Sequence, residues 1–184
     1  MLEYVQNTHH YAIRYTRPAV GTKLELKGLL KGYSDADWAG QLEDRRSTSG
    51  YVYFLAGGPV SWSSKTQKSV ALSTAEAEYM ALSDASKEAM HLKALASAIG
   101  LEQTDPLVVY EDNQAAQKIA ENPVLHDRTK HIDIRYHYVR ELVESLKVQV
   151  VCIQTKDMVA DLLTKAVSKA VFSALIHRLF GWSA

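Results

Sequence analysis

The chain has 184 residues, 47% hydrophobic and 23% charged, with 21 basic side chains against 21 acidic ones. That length suits one domain of about 100 to 200 residues that can bury its apolar surface without disulfides or structural metals, which excludes a cross-linked miniprotein. Zero net charge argues against a free-standing, tight, nonspecific nucleic-acid binder, because that affinity comes mainly from lysines and arginines neutralising phosphates. Any nucleic acid must be held locally or delivered by another domain. The one cysteine, Cys152, lies in the apolar run VQVVCI and reads as a buried, inert thiol. No run approaches the ~18 consecutive apolar residues of a membrane helix, and the opening MLEYVQNTHHYAIRY lacks the basic and apolar blocks of a signal peptide, so an intracellular, soluble protein is expected.

The segment up to Tyr15 has no capping residue before its apolar positions and reads as the tail of an upstream element, with Met1 a cut point. After RPAVG come strand signals in KLELKG, LLKGYSDADW, GYVYFLA and, past the turn pair Gly57-Gly58, PVSWSS. Their close spacing predicts an antiparallel meander. A long helix follows, opened by Ser73 with Glu76 as a capping box and stopped at Gly100. Glu78, Leu82, Ala85, Ala89, Leu92, Ala96 and Ile99 share one face of it, so Glu78 heads the buried stripe while Glu76 falls with Met80, Ser83 and Lys87 on a more polar side. LVVYED then reads as a short strand ending in acids, and NQAAQKIAEN as a short helix stopped at Asn122-Pro123. Ile132, Tyr136, Val139, Val143 and Leu146 mark a further helix, followed by the strand VQVVCIQ and the helical segment DMVADLLTKAV. Strands first, then alternating helix and strand, predict an α/β chain whose mixed sheet is covered by helices.

Four acids converge by this topology: Asp35 and Asp112 at strand ends, Glu78 on the core side of a helix, and Asp161 opening a helix. Like charges brought together oppose mutual ionisation, and a divalent cation removes that cost. A few carboxylates completed by water and phosphate oxygens are what Mg²⁺ prefers. Taken singly, each acid reads at least as well as a turn former or helix cap.

The segments YSDADWAG, DRRSTSGYVYFL, PVSWSSKTQKSVALSTAEAEYMAL, YEDNQAA, RTKHIDIRYHYVREL and VADLLTK together resemble the ribonuclease H domain of copia-type LTR retrotransposon Pol polyproteins. The resemblance implies a five-stranded mixed sheet flanked by helices and cleavage of the RNA strand of RNA:DNA hybrids. It implies that Asp35, Glu78, Asp112 and Asp161 bind two Mg²⁺ ions, with Mn²⁺ a substitute. It also implies that Ser73 contacts a DNA phosphate and that Asn113 and Gln114 read the minor groove, through the ribose 2′-hydroxyl. Plain helix capping is the rival role for Ser73 and Asn113. Residues 1–27 resemble the end of the reverse transcriptase and its connection, 28–168 the ribonuclease H domain, and 169–184 a C-terminal helical tail. The implied partners are the hybrid and the reverse transcriptase of the same polyprotein, with no membrane. The implied location is the cytoplasm, in virus-like particles, with the nucleus as a second site.

Two departures from the family stand out. Asp37 adds an acid after the first aspartate, able to join or disturb a metal site, and the link Gln154-Thr155-Lys156 lacks the histidine that many members carry there. His126, His131 and His137, spaced by five and six, do not suit a zinc site on one helix and read as surface or packing residues. Asp157 reads as a helix-start acid one turn before Asp161. Arg45, Arg46, Lys65 and Lys68 read singly as solvated surface and together as a potential phosphate-facing patch. Trp38 and Trp62 read as core or sheet-face packing rather than base-stacking platforms. Two rival functions remain open: an inactive connection-like module that only holds the hybrid, and a DDE-type transferase. The glutamate in AEYMAL weighs against the transferase.

Overall fold

The computed structural model describes residues 6–16, 30–41, 43–121 and 130–180. The strand expected in KLELKG lies outside them. A meander opens the fold: β1 (Lys31–Asp37), β2 (Thr48–Leu55) and β3 (Gly58–Thr66). Helix α1 (Thr74–Ala98) crosses to β4 (Leu107–Glu111), and α2 (Gln114–Glu121) and α3 (Lys130–Glu144) lead to β5 (Val148–Cys152). The five strands order as β3-β2-β1-β4-β5. β1–β2 and β2–β3 pair antiparallel, whereas β1–β4 and β4–β5 pair parallel. This is the mixed sheet expected from the order of elements.

The pleat sends alternate residues to opposite layers. Tyr53, Leu107, Val109, Val148 and Val150 face a core shared with Tyr79, Leu82 and Ala85 of α1 and Val139 and Leu142 of α3. Val52 and Phe54 point the other way and meet Val159, with Leu163 and Leu179 against them.

The hairpin turn is Ala56–Gly57, both at positive φ, and not Gly57–Gly58. That pair suits a two-residue turn whose twist matches the strands. Gly58 already belongs to β3, where a Cβ would lie 2.6 Å from the Arg14 carbonyl oxygen.

Helix α1 keeps its expected start, with Ser73 as N-cap. Its buried stripe runs out earlier than the spacing predicts: Leu92 and Ala96 are half-buried and Ile99 is 67% exposed. A 25-residue helix is about 37 Å long, whereas the five-residue strand β4 spans about 17 Å, so the end of α1 overhangs the sheet. Glu76 also departs from expectation. It is buried, because its Oε2 accepts the Leu72 backbone N–H at 3.0 Å and closes the entering loop over the first turn. In α3 the stripe holds at Tyr136 and Val139 and ends at Val143, which packs partly buried against the core beside the buried Leu142. Leu146, at φ 54°, lies past the helix and is exposed.

The expected helix over DMVADLLTKAV is broken into a 3-10 turn (Thr155–Asp157) and a four-residue helix, α4 (Asp161–Thr164). A further helix, α5 (Lys169–Leu179), buries Leu175 and Ile176. Among the described residues, no helix is long and apolar enough to cross a membrane.

Candidate active site

Asp35 stands near the C-terminal end of β1, and Asp112 directly follows β4, the parallel neighbour of β1. Glu78 lies early in α1, whose first turns pack over β1. One carboxylate oxygen from each of Asp35, Glu78 and Asp112 lies within 4.8 Å of the other two. Asp161, at the start of α4, joins this group through a cation: Lys165 Nζ is 2.9 Å from Asp161 Oδ1 and 3.6 Å from Asp35 Oδ1. The Thr164 hydroxyl donates to Asp35 Oδ2. Both oxygens of Asp35 are therefore held by consecutive residues at the end of α4.

The cluster is set in low dielectric. Asp35 is 1% exposed and Glu78 7% exposed. Burial pushes the Asp35 carboxyl up to about 6, the Thr164 hydrogen bond and Lys165 pulling it down and Asp161 and Asp112 adding to the rise. Burial, then the charges of Asp35 and Asp112, push Glu78 up to about 9 against the hydrogen bond from the Ala36 backbone N–H. Asp161 is raised by burial and partly relieved by Lys165. Burial opposes the charge on Lys165, but its hydrogen bond to Asp161 and the charge of Asp35 outweigh that and raise its pKa.

A fifth carboxylate, Glu111, is fully buried beneath the cluster. Its Oε1 accepts the Asn113 N–H at 3.3 Å, and its Oε2, like Glu78 Oε2, has no hydrogen-bond partner among the described residues. Burial first, and Glu78 second, raise its pKa well above the carboxylate range. Like charges gathered this way ionise together only with a cation among them. Hard oxygen donors from three elements, one of them the unpartnered buried oxygen of Glu78, fit a small divalent ion that keeps part of its water.

The other expected residues fall as follows. Ser73 Oγ accepts the Glu76 N–H at 3.2 Å, which leaves its own proton free to donate. Asn113 Oδ1 accepts from the Ala115 and Ala116 N–H groups at 2.9 and 3.2 Å, so its oxygen caps α2, and Gln114 is exposed at the first residue of that helix. The Asp37 carboxylate sits against Gly40, outside the three that come together. Asp157 lies in the 3-10 turn, not on the helix of Asp161, and its Oδ1 pairs with Arg178 at 2.6 Å.

Trp38 and Trp62 are 45% and 58% exposed and are not core: β3 is an edge strand, and the Trp38 indole N–H reaches out to the Ala71 carbonyl at 3.1 Å. Cys152 is half-buried. Arg46 pairs with Asp44 at 3.2 Å, while Lys65 and Lys68 are exposed along a cleft of about 560 Å³ between β3 and α1. His137 Nδ1 lies 3.1 Å from Arg140 Nη2, on the helix surface. His126 and the side chain of His131 lie outside the described residues.

Sequence reading missed Glu111, Thr164 and Lys165. Signals pointed to Glu111 and Lys165, though not to Thr164. Glu111 shares the inward parity of Leu107 and Val109, and Lys165 stands four residues after Asp161, the spacing that joins an acid to a base.

No model of a known protein family matches the chain. It is 45% identical over 165 residues to the retrovirus-related Pol polyprotein from transposon TNT 1-94 of Nicotiana tabacum, covering 88% of this chain and 12% of the polyprotein. Against the corresponding polyprotein from transposon RE1 of Arabidopsis thaliana, it is 46% identical over 150 residues, covering 82% and 10%. Its homologues are the Pol polyproteins of copia-type retrotransposons. The chain spans about a tenth of the length of these relatives. Among solved structures, RNase H1 from Halobacterium salinarum NRC-1 matches with a TM-score of 0.50 at 19% identity, over 73% of this chain and 93% of that one. LC11-RNase H1 in complex with an RNA/DNA hybrid matches with a TM-score of 0.52 at 15% identity, over 73% and 93%. At these identities the likeness establishes the fold, which is ribonuclease H-like.

Proposed function

We infer that this segment of a retrotransposon Pol polyprotein is a metal-dependent endoribonuclease that hydrolyses the RNA strand of RNA:DNA hybrids beside the reverse transcriptase of the same polyprotein. The observation that carries this reading is the meeting of Asp35, Glu78 and Asp112 within 4.8 Å on a ribonuclease H-like sheet. That a solved neighbour of the same fold was crystallised with an RNA/DNA hybrid supports the choice of substrate.

Asp35, Glu78, Asp112 and Asp161 are the residues to hold two Mg²⁺ ions, or Mn²⁺ in their place. When bound, such ions supply the Lewis acidity that makes water nucleophilic at neutral pH and stabilises charge on the departing 3′ oxygen, leaving a 5′ phosphate. The rest of the work belongs to the chain. Thr164 fixes the orientation of Asp35. Ser73, with a free proton at the N-terminus of α1, offers a hydroxyl and backbone dipole to a DNA phosphate. The amide NH₂ of Asn113 and the exposed Gln114 are set beside Asp112 to meet a ribose 2′-hydroxyl. Residues 28–168 form the catalytic unit in this reading, with 1–27 the end of the preceding reverse transcriptase region and 169–184 a tail. The site of action is the cytoplasmic virus-like particle, with the nucleus as a second location.

The test is cleavage of a labelled hybrid with Mg²⁺ and with EDTA. Asp35→Asn and Asp112→Asn should abolish the Mg²⁺-dependent product while both proteins stay folded by circular dichroism. Full cleavage by either variant would refute the assignment. Absence of metal uptake by the unaltered protein would instead favour a hybrid-holding module.

A further inference from the structure

Lys165 is the ammonium within ion-pair distance of the acid cluster among the described residues, and it touches two acids from separate elements, Asp35 of β1 and Asp161 of α4. Its position is fixed by local structure. It is the C-cap of α4, its backbone N–H bonds the Asp161 carbonyl at 3.2 Å, and its side chain returns over that turn to the Asp161 carboxylate. The two acids are 1% and 6% exposed at their side chains, while that of Lys165 is 34% exposed. The ammonium therefore has a path to water that the acids lack. It also sits on a flexible four-carbon stem and carries no geometric demand beyond its three donors.

We propose that Lys165 is a resident, exchangeable counter-ion: it neutralises the Asp35–Asp161 pair in the metal-free chain and swings out to solvent when a divalent cation takes those oxygens. This rests on the metal-dependent reading above. Ammonium and dication compete for the same electron pairs, because Asp35 Oδ1 and Asp161 Oδ1 cannot serve both at full strength. The competition has two consequences. The metal-free fold is protected from its own like charges, and metal affinity is held below what the bare carboxylates would give. Thr164 takes no part in the exchange, since it occupies the other oxygen of Asp35 and keeps that carboxylate oriented in both states.

The experiment is calorimetric titration of the full chain with Mn²⁺, together with thermal unfolding in EDTA, for the unaltered protein, Lys165→Met and Lys165→Arg. Methionine keeps a long apolar stem and removes the charge, whereas arginine restores it. Lys165→Met should unfold at a lower temperature in EDTA at pH 8 and bind Mn²⁺ about tenfold more tightly, the change that ~1.4 kcal/mol of relieved repulsion gives. Lys165→Arg should lie near the unaltered protein in both measurements. A purely structural lysine would lower stability without tightening Mn²⁺ binding. If the unaltered protein takes up Mn²⁺ and Lys165→Met binds it no more tightly, the exchange is overturned and the nuclease reading stands. If neither takes up Mn²⁺, the nuclease reading falls with it.

Discussion

A Cβ placed on Gly50 would lie 2.6 Å from the Thr164 Cγ2 methyl and 3.0 Å from Leu163 Cβ. Gly50 is the register partner of Asp35 across the β1–β2 ladder. The missing side chain on β2 is thus what lets α4 settle onto the sheet and deliver the Thr164 hydroxyl to Asp35. Gly50→Ala should push α4 away, because a β-branched threonine and a Cβ cannot yield as a flexible side-chain tip can. We expect a loss of about 1–3 kcal/mol in urea unfolding, as for other overpacked sites. Hybrid cleavage should fall by on the order of 100-fold, because a displacement near 1 Å at the reacting groups has that effect. Cleavage at the unaltered rate would show that α4 does not set the geometry of Asp35.

The metal-free protein should lose stability as pH rises from 5 to 9. An acid whose folded-state pKa exceeds its unfolded value stabilises the fold in its protonated form, fully so below the unfolded value, and that contribution is lost as pH climbs through the folded one. For Asp35 the window runs from the ordinary 3.8 to about 6, and for Glu78 from 4.5 to about 9. Lys165, raised from 10.5, keeps its charge throughout and contributes no slope there. Each acid inside its window costs about 1.4 kcal/mol per pH unit. Saturating Mg²⁺ should flatten the decline, because the metal-bound fold holds these groups deprotonated. Urea midpoints across the range, in EDTA and in Mg²⁺, measure both slopes. A metal-free midpoint that climbs toward pH 9 would contradict the electrostatics of the cluster.

Glu111→Gln separates burial from metal holding. Gln mimics the protonated carboxyl in size, so at pH 5 the substitution should change stability by less than about 1 kcal/mol. At pH 9 it should stabilise the metal-free protein, since it removes an acid whose ionisation in the core is costly. Thermal unfolding in EDTA at the two pH values decides this. Equal effects at both would mean that folding does not raise the Glu111 pKa, and would overturn the costly burial of its charge.

What the sequence made legible follows from how local its signals are. Ser73 with Glu76 set the start of α1, and the 4-3 spacing placed Glu78 toward the core. The convergence of Asp35 and Asp112 came from strands that end in acids. The meander and the alternation that follows carried the mixed sheet. Long-range packing was not legible. The overhang of α1 beyond a short sheet exposes Ile99, and the closure of the 67–73 loop buries Glu76. The break before Asp161 also escaped the periodic pattern: α4 must sit over Gly50, and a straight helix from Asp157 would not place Thr164 against Asp35. Glu111 was passed over because an acid inside an apolar strand reads as its polar end, whereas its pleat parity points inward.

Ser73 carries two roles that a single alanine substitution would confuse. As N-cap it accepts the Glu76 N–H, and Ser73→Ala should cost about 0.5–2 kcal/mol for that alone. Ser73→Asp keeps a strong cap, and the added negative charge favours the helix N-terminus. The same charge repels a phosphate and offers no proton at pH 7.5. Ser73→Asp should therefore unfold in urea much as the unaltered protein does, while its KM for hybrid rises with kcat little changed. Ser73→Ala should lose stability and raise KM less. The KM values, read at fixed salt because phosphate contacts are screened, assign the residue. A Ser73→Asp protein with an unaltered KM would leave Ser73 a helix cap alone, and the DNA phosphate would have to be held elsewhere on the surface.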